Sequence, residues 1–200
     1  MSRFDKLAQE WDLNPRRVES AKNTTTHIKK LIDIRDKDII DYGSGSGLVA
    51  FDLCEEACKV VAMDNSSGML QEIENKINRS DIDNITTHLH DIDHEDIENG
   101  RFDIFVSAMT MHHIKDTKLF LQKAKESLKK GGYIAISDLE SEDGSFHSRG
   151  NEGVEHFGFD VGEIRKIVES LGMEVVFLDI IETISKDQDF HIFLLIAKNV

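Results

Sequence analysis

Proline is nearly absent, with one in 200 residues, and cysteine is scarce, with two. The first shortage excludes a proline-rich linker chain, and the second excludes a disulfide framework or a cysteine-rich zinc site. Basic residues are also short: 24 Lys and Arg face 38 Asp and Glu, for a formal charge of -14. Such a surface repels phosphate backbones and anionic membranes, which argues against a nucleic-acid partner. The basic pairs Arg16-Arg17, Lys29-Lys30 and Lys129-Lys130 are short and read as solvated helix faces. No apolar run approaches the roughly 18 residues of a membrane span, and no terminal segment has the pattern of a secretory signal. The expectation is a cytoplasmic protein without membrane insertion, monomer or homodimer, that handles a small molecule.

What is present is the makings of one core. The chain is 40% hydrophobic and 31% charged, which suits a single domain over residues 1–200. Apolar β-branched runs alternate with stretches of helical spacing. KDIIDY, KVVAMD, ITTHLH, RFDIFVSAM and YIAISD read as strands, with LVAFDLCEEA, SSGMLQEIENKINRS and TKLFLQKAKESLKK as intervening helices and GG stopping the last of these. DVGEIRKIVESLG gives a further helix before MEVVFLDII and DFHIFLLIAK, two strands whose ETISKDQ connection is too short for a covering helix. Strands separated by helices imply right-handed crossovers and a three-layer α/β domain, with an antiparallel hairpin at its end. Cys54 and Cys58, four apart, fall on one face if their segment is helical, as two reduced, partly buried thiols. Residues 1–30 precede the first strand and are expected as a helical cap over the ligand edge. The stretch 138–158 has the least regular pattern.

The densest chemical signal is DYGSGSG, directly after DII. Gly43, Gly45 and Gly47 stand where a strand passes into a helix, so the missing Cβ atoms permit positive φ and close approach of the backbone to a ligand. A helix start also offers unpaired N–H groups to an electron-rich group. The dinucleotide fingerprint is GxGxxG, and here the third glycine comes one place early. Asp64 nevertheless ends the second strand about 20 residues on, the distance at which a carboxylate accepts ribose hydroxyls. Adenosine binding is therefore retained, and a nicotinamide dinucleotide is disfavoured.

This combination resembles the class I S-adenosylmethionine-dependent methyltransferases of small-molecule type. DYGSGSG looks like their first motif, VVAMDNSSGML like their second-strand region, HDID like the adenine-contacting loop and RFDIFVSAMTMHHI like the fourth-strand region, while LKKGGYIAISD resembles the approach to the fifth strand. The resemblance spans roughly residues 35 to 198. It implies a Rossmann-like, mostly parallel seven-stranded sheet of order 3-2-1-4-5-7-6 with an antiparallel final strand. It also implies S-adenosyl-L-methionine as cofactor: Asp41 with the backbone of Gly43 and Gly45 around its methionine portion, Asp64 on the ribose, Met69 against the adenine, Asp91 and Ile92 at the adenine edge, and Ser107 lining the site.

Methyl transfer needs an aligned acceptor atom (O, N or C of a small molecule) and exclusion of water more than a covalent intermediate. A base enters only if the acceptor must lose a proton. His112 and His113, just past the fourth strand, are candidates, and His147 and His156 lie where they could face the same opening. HLHDIDHED carries His88, His90 and carboxylates, but without an HExxH or paired CxxC pattern no metal is expected. Phe4, Leu7 and Trp11, spaced by three and four, fit one apolar helix face in the cap, and Arg16 and Arg17 are candidates to steer an acidic acceptor. Two other readings remain open: a macromolecular methyltransferase, and a regulator that binds cofactor without turnover.

Overall fold

The computed structural model describes residues 3–147 and 150–200, so residues 1 and 2 of the expected cap, and 148 and 149 of the irregular stretch, lie outside the described residues. Seven strands form one sheet: β1 (Asp38–Tyr42), β2 (Lys59–Asp64), β3 (Ile85–Leu89), β4 (Phe102–Ala108), β5 (Leu128–Leu139), β6 (Met173–Ser185) and β7 (Asp189–Asn199). Their order is β3-β2-β1-β4-β5-β7-β6. β1 to β5 run parallel, and β7 is antiparallel to both β5 and β6. The Rossmann-like α/β fold read from the sequence is the fold observed.

Alternation along the buried strands divides the core in two. Ile39, Val60, Ile104, Val106, Leu194 and Ile196 pack on one face, while Ile40, Val61, Phe105, Ile134, Phe193 and Leu195 pack on the other. Helices α2 (Pro15–Leu31), α3 (Leu48–Leu53) and α4 (Ser67–Ile77) cover the first face. Helices α5 (Thr117–Ser127) and α6 (Val161–Ser170) cover the second. Each of these large side chains contributes about 1.5–3 kcal/mol on burial. Side-chain caps start several of the helices: Asn14, Ser66, Asp116 and Asp160 accept the N–H of Arg16, Met69, Leu119 and Glu163.

Three local expectations are corrected. The segment LVAFDLCEEA is helical only to Leu53, because Cys58 and Lys59 turn to donate their N–H groups to the Lys37 carbonyl and the Asn84 side-chain amide donates to the Cys54 and Ala57 carbonyls. Cys54 is therefore buried and Cys58 exposed, on no common helix face. The Gly131-Gly132 pair does not stop α5, which ends at Ser127. It lies within β5 beside an irregular β4 register, where a Cβ on Gly132 would come 2.7 Å from the Asp103 carbonyl. Finally, β6 continues through Ser185, leaving only residues 186–188 as the hairpin turn.

The N-terminal segment divides by role. α2 belongs to the core layer: Ile28 is fully buried, Asn23 donates to the Ile181 carbonyl at 3.0 Å, and Thr24 meets Ser137 at 3.1 Å. Ahead of it, α1 (Arg3–Leu7) and a 3-10 turn (Ala8–Leu13) form a strap across the carboxyl ends of the strands. Phe4 and Trp11 meet edge-on at 5.8 Å, but the helix ends at Leu7, so Phe4, Leu7 and Trp11 are not one continuous α-helical stripe.

Candidate functional site

The sheet order reverses between β1 and β4, and the crevice outside the carboxyl ends of such strands is where open α/β sheets bind ligands. Here β1 delivers Asp41, which is 1% exposed and has one carboxylate oxygen, Oδ2, without a protein partner. Burial, with the nearby Asp64 carboxylate adding to it, pushes its pKa up to about 7, against the lowering effect of the Ala50 N–H. Gly43, Gly45 and Gly47 follow with φ of 70°, 52° and 89°, a left-handed path that L side chains resist. The loop is tied across β2: Gly43 and Ser44 donate to the Met63 carbonyl at 2.8 and 3.0 Å. Asp64 completes the tie by accepting the Gly45 N–H on Oδ2 and the Ser66 N–H on Oδ1, both at 2.8 Å. Burial raises its pKa although these N–H groups favour the charged form.

Ser107, near the end of β4, is 1% exposed, and its hydroxyl, like that of Ser44, is buried without a partner. Met69 is fully buried in the first turn of α4. At the β3 end the Ile92 N–H is taken by the Tyr42 hydroxyl at 2.9 Å, and Asp91 Oδ1 accepts the Asp93 N–H. These two groups are thus already engaged in shaping the loop where an adenine-edge contact was expected.

The strap closes this side. Asp5 accepts from the Ser66 hydroxyl and the Gly68 N–H, at 2.6 and 3.0 Å. Asp12 accepts from the Ser46 hydroxyl and pairs with Lys76, which also donates to the Ser46 carbonyl. Trp11 sits over Gly45, its Nε1 3.8 Å from where a Cβ would stand. Arg17 stacks 3.6 Å above the Trp11 ring, so this guanidinium is partly committed to the strap. Arg16 is exposed.

Beyond β4 the chain turns through Met109, a non-glycine residue at φ 53°, and Thr110, whose hydroxyl donates to the Gly43 carbonyl at 3.2 Å. The next turn, Met111–His113, sets two imidazoles side by side, with ring centroids 4.1 Å apart. His112 is 1% exposed. Its Nδ1 lies 2.7 Å from Asp138 Oδ1, and its N–H donates to Asp138 Oδ2 at 3.2 Å. Burial alone would raise the pKa of Asp138. His112 and the Leu139 N–H outweigh it and hold the carboxyl below the ordinary range. An ionised Asp138 can only accept, so Nδ1 carries a proton toward it, while the buried Nε2 has no protein partner. The Nδ1 of His113 lies 2.6 Å from the Gly153 carbonyl, which can only accept, so Nε2 is again the free nitrogen.

His147 joins this pair, its ring 5.1 Å from that of His112 and 5.9 Å from that of His113. Burial, then the neighbouring His112, lowers His113 and His147 to about 4, so both are neutral at neutral pH. His156 does not join them, because its Nε2 is held 2.9 Å from the Ile114 carbonyl. His88 is exposed on the edge strand, and His90 packs edge-on against Tyr42 at 5.7 Å.

A family model described as a methyltransferase domain matches residues 34–152, which is most of the chain and contains the glycine loop, Asp64 and the histidine turn. The chain belongs to this methyltransferase family. Among curated proteins, a ubiquinone biosynthesis O-methyltransferase of Coxiella burnetii is 23% identical over 150 residues, covering 70% of this chain and 61% of that protein. The chain thus spans about three fifths of the length of such relatives. Two solved structures share the fold. A SAM-dependent methyltransferase from Aquifex aeolicus superposes with TM-score 0.75 at 21% identity, covering 98% of this chain and 97% of its own. A Haloferax volcanii complex of the Trm112 methyltransferase activator with a methyltransferase gives TM-score 0.81 at 17% identity, covering 100% and 98%.

Within this methyltransferase domain, sequence reasoning missed Asp138, Thr110, Ser44 and the strap carboxylates Asp5 and Asp12. Asp138 carried a signal: an acidic residue closing the otherwise apolar YIAIS run must be paired to be buried. Asp5 and Asp12 carried none, since their partners at 46, 66 and 76 lie far along the chain.

Proposed function

We propose that this domain transfers a methyl group from S-adenosyl-L-methionine to a small acceptor, in the cytoplasm, acting as a monomer or homodimer. The observation that carries the reading is the set of buried polar atoms without partners, Asp41 Oδ2, Ser44 Oγ and Ser107 Oγ, around a glycine backbone held open by Asp64. Buried polar atoms need partners, and a polar ligand at the strand ends supplies them. Such residues fit the cofactor: Asp41 toward its methionine amino group, Asp64 toward the ribose, and Met69 with the Asp91–Ile92 turn toward the adenine. When bound, S-adenosyl-L-methionine supplies a methyl group already activated by its sulfonium, so no covalent enzyme intermediate is needed.

The chain's own residues then orient and exclude water. The strap covers the glycine loop, and Thr110 couples that loop to the histidine turn. His112, oriented by Asp138, presents Nε2 to an acceptor that must lose a proton, with His113 beside it. The O-methyltransferase relatives and the overall charge of -14 favour a small hydroxyl-bearing acceptor over a polynucleotide.

The test is calorimetric titration with S-adenosylhomocysteine, with NAD as comparison, followed by a screen of small hydroxyl compounds for methyl transfer. Stoichiometric binding of S-adenosylhomocysteine alone, then turnover lowered by His112→Ala, is the expected result. Binding of NAD alone would redirect the site to redox chemistry, and cofactor binding without turnover on any acceptor would favour a regulator.

A further inference from the structure

One ring nitrogen from each of His112, His113 and His147 lies within 4.8 Å of the other two. In a tetrahedral site with metal–nitrogen bonds of about 2.0–2.1 Å, ligand nitrogens stand about 3.3 Å apart. The nitrogens therefore have no more than about 1.5 Å to close in order to share one cation. Several further observations point to a cation and not to mere packing. Two of the rings already have an acceptor on Nδ1: the Asp138 carboxylate for His112 and the Gly153 carbonyl for His113. That is how metal-bound histidines are held, with the far nitrogen aimed at the ion and the near one bonded behind it. His112 Nε2 and His147 Nδ1 are buried with no partner of their own, which packing alone leaves unexplained. The donors come from two separate segments, the turn after β4 and the loop after β5, so their convergence is tertiary.

We propose that His112, His113 and His147 form a three-nitrogen site for a divalent transition cation of the zinc class, its fourth position open to an acceptor oxygen. Imidazole nitrogen is the donor that suits zinc, and three protein ligands with one open position is the pattern of catalytic zinc. The cation site itself does not depend on the methyl-transfer reading. Its role toward an acceptor does rest on that reading. A hydroxyl bound as fourth ligand loses its O–H proton to solvent water, and the oxygen stays on the cation as the anionic ligand. In that arrangement the His112 lone pair is a ligand, and a separate base is not required.

The experiment is titration of the chelator-stripped full chain with Co²⁺ and with Zn²⁺, read by the visible ligand-field bands of cobalt and by calorimetry, with S-adenosylhomocysteine binding measured in parallel. One equivalent of Co²⁺ giving tetrahedral bands, displaced by Zn²⁺, is expected. His147→Ala, on a loop, should weaken metal binding at least tenfold while leaving S-adenosylhomocysteine binding intact, and Asp138→Asn should weaken it 10–100-fold. No bands, or several equivalents bound identically by wild type and His147→Ala, would overturn the site and leave His112 as a base. Intact bands with no S-adenosylhomocysteine binding would instead sink the methyltransferase reading while sustaining the metal site.

Discussion

Asp41 and Asp138 are both buried carboxylates on central strands, and their surroundings push them in opposite directions. Asp138 is surrounded by donors, whereas Asp41 has burial and a second carboxylate against it and a pKa of about 7. In the proposed binding mode an ammonium group beside Asp41 favours its charged form, so cofactor binding should release a proton below pH 7 and tighten as pH rises through that value. S-adenosylhomocysteine affinity should fall up to about tenfold per pH unit below 7, and Asp41→Asn should flatten that slope in calorimetry between pH 5.5 and 8, roughly the window in which Asp41 titrates. His113 and His147, near 4, stay neutral over most of that range. The glycines separate in a different way. A Cβ on Gly43 would overlap Thr110 at 2.2 Å, whereas one on Gly45 meets only Trp11 at 3.8 Å. Gly43→Ala should lose about 2–4 kcal/mol in urea unfolding, from positive φ and overlap together. Gly45→Ala should lose only about 1 kcal/mol, while Gly45→Val should obstruct the cofactor more than it disturbs the core. The glycines and Asp64 were legible in the sequence because spacing along one βαβ unit is a local property. That His147 and not His156 would join His112 and His113 was not, because it depends on how two loops fold over one sheet edge.

At the scale of elements, the three-layer α/β class and its final hairpin were readable because apolar runs alternated with helical spacing and the connection before β7 was too short for a crossover, whereas the strand order followed from the methyltransferase resemblance. Boundaries were less so: β5 begins before its glycine pair because pairing of Leu128 with Phe102 wins over helix continuation. The N-terminal thirty residues look like one cap in sequence, yet they serve two purposes. Removal of residues 1–13 should leave a cooperatively folding domain that binds S-adenosylhomocysteine at least tenfold more weakly. Removal of residues 1–31 also strips α2 from the sheet and should abolish the cooperative transition. A milder probe, Ile28→Ala, should cost about 2–5 kcal/mol, because Ile28 is fully buried. Equal stability of the two truncations, followed by circular dichroism, would contradict that division.

Over the whole molecule, the excess of 38 acidic over 24 basic residues works against compaction. Salt screens this repulsion over about 10 Å at 0.1 M. The thermal midpoint should therefore rise by a few degrees between low salt and about 0.15 M, and a fall would mean that ion pairs such as Lys29–Asp52 and Asp12–Lys76 dominate. The strap reaches across both halves of the site: Asp5 and Asp12 on the glycine side, and Phe4 edge-on to His113 at 5.2 Å on the other. If the cofactor and acceptor sites are as proposed, one strap lies over both of them. Steady-state turnover should follow a compulsory order, cofactor entering first and S-adenosylhomocysteine leaving last. That order makes S-adenosylhomocysteine competitive against S-adenosylmethionine and noncompetitive against the acceptor. Methylated product competing directly with the acceptor would mean that each finds its own way in.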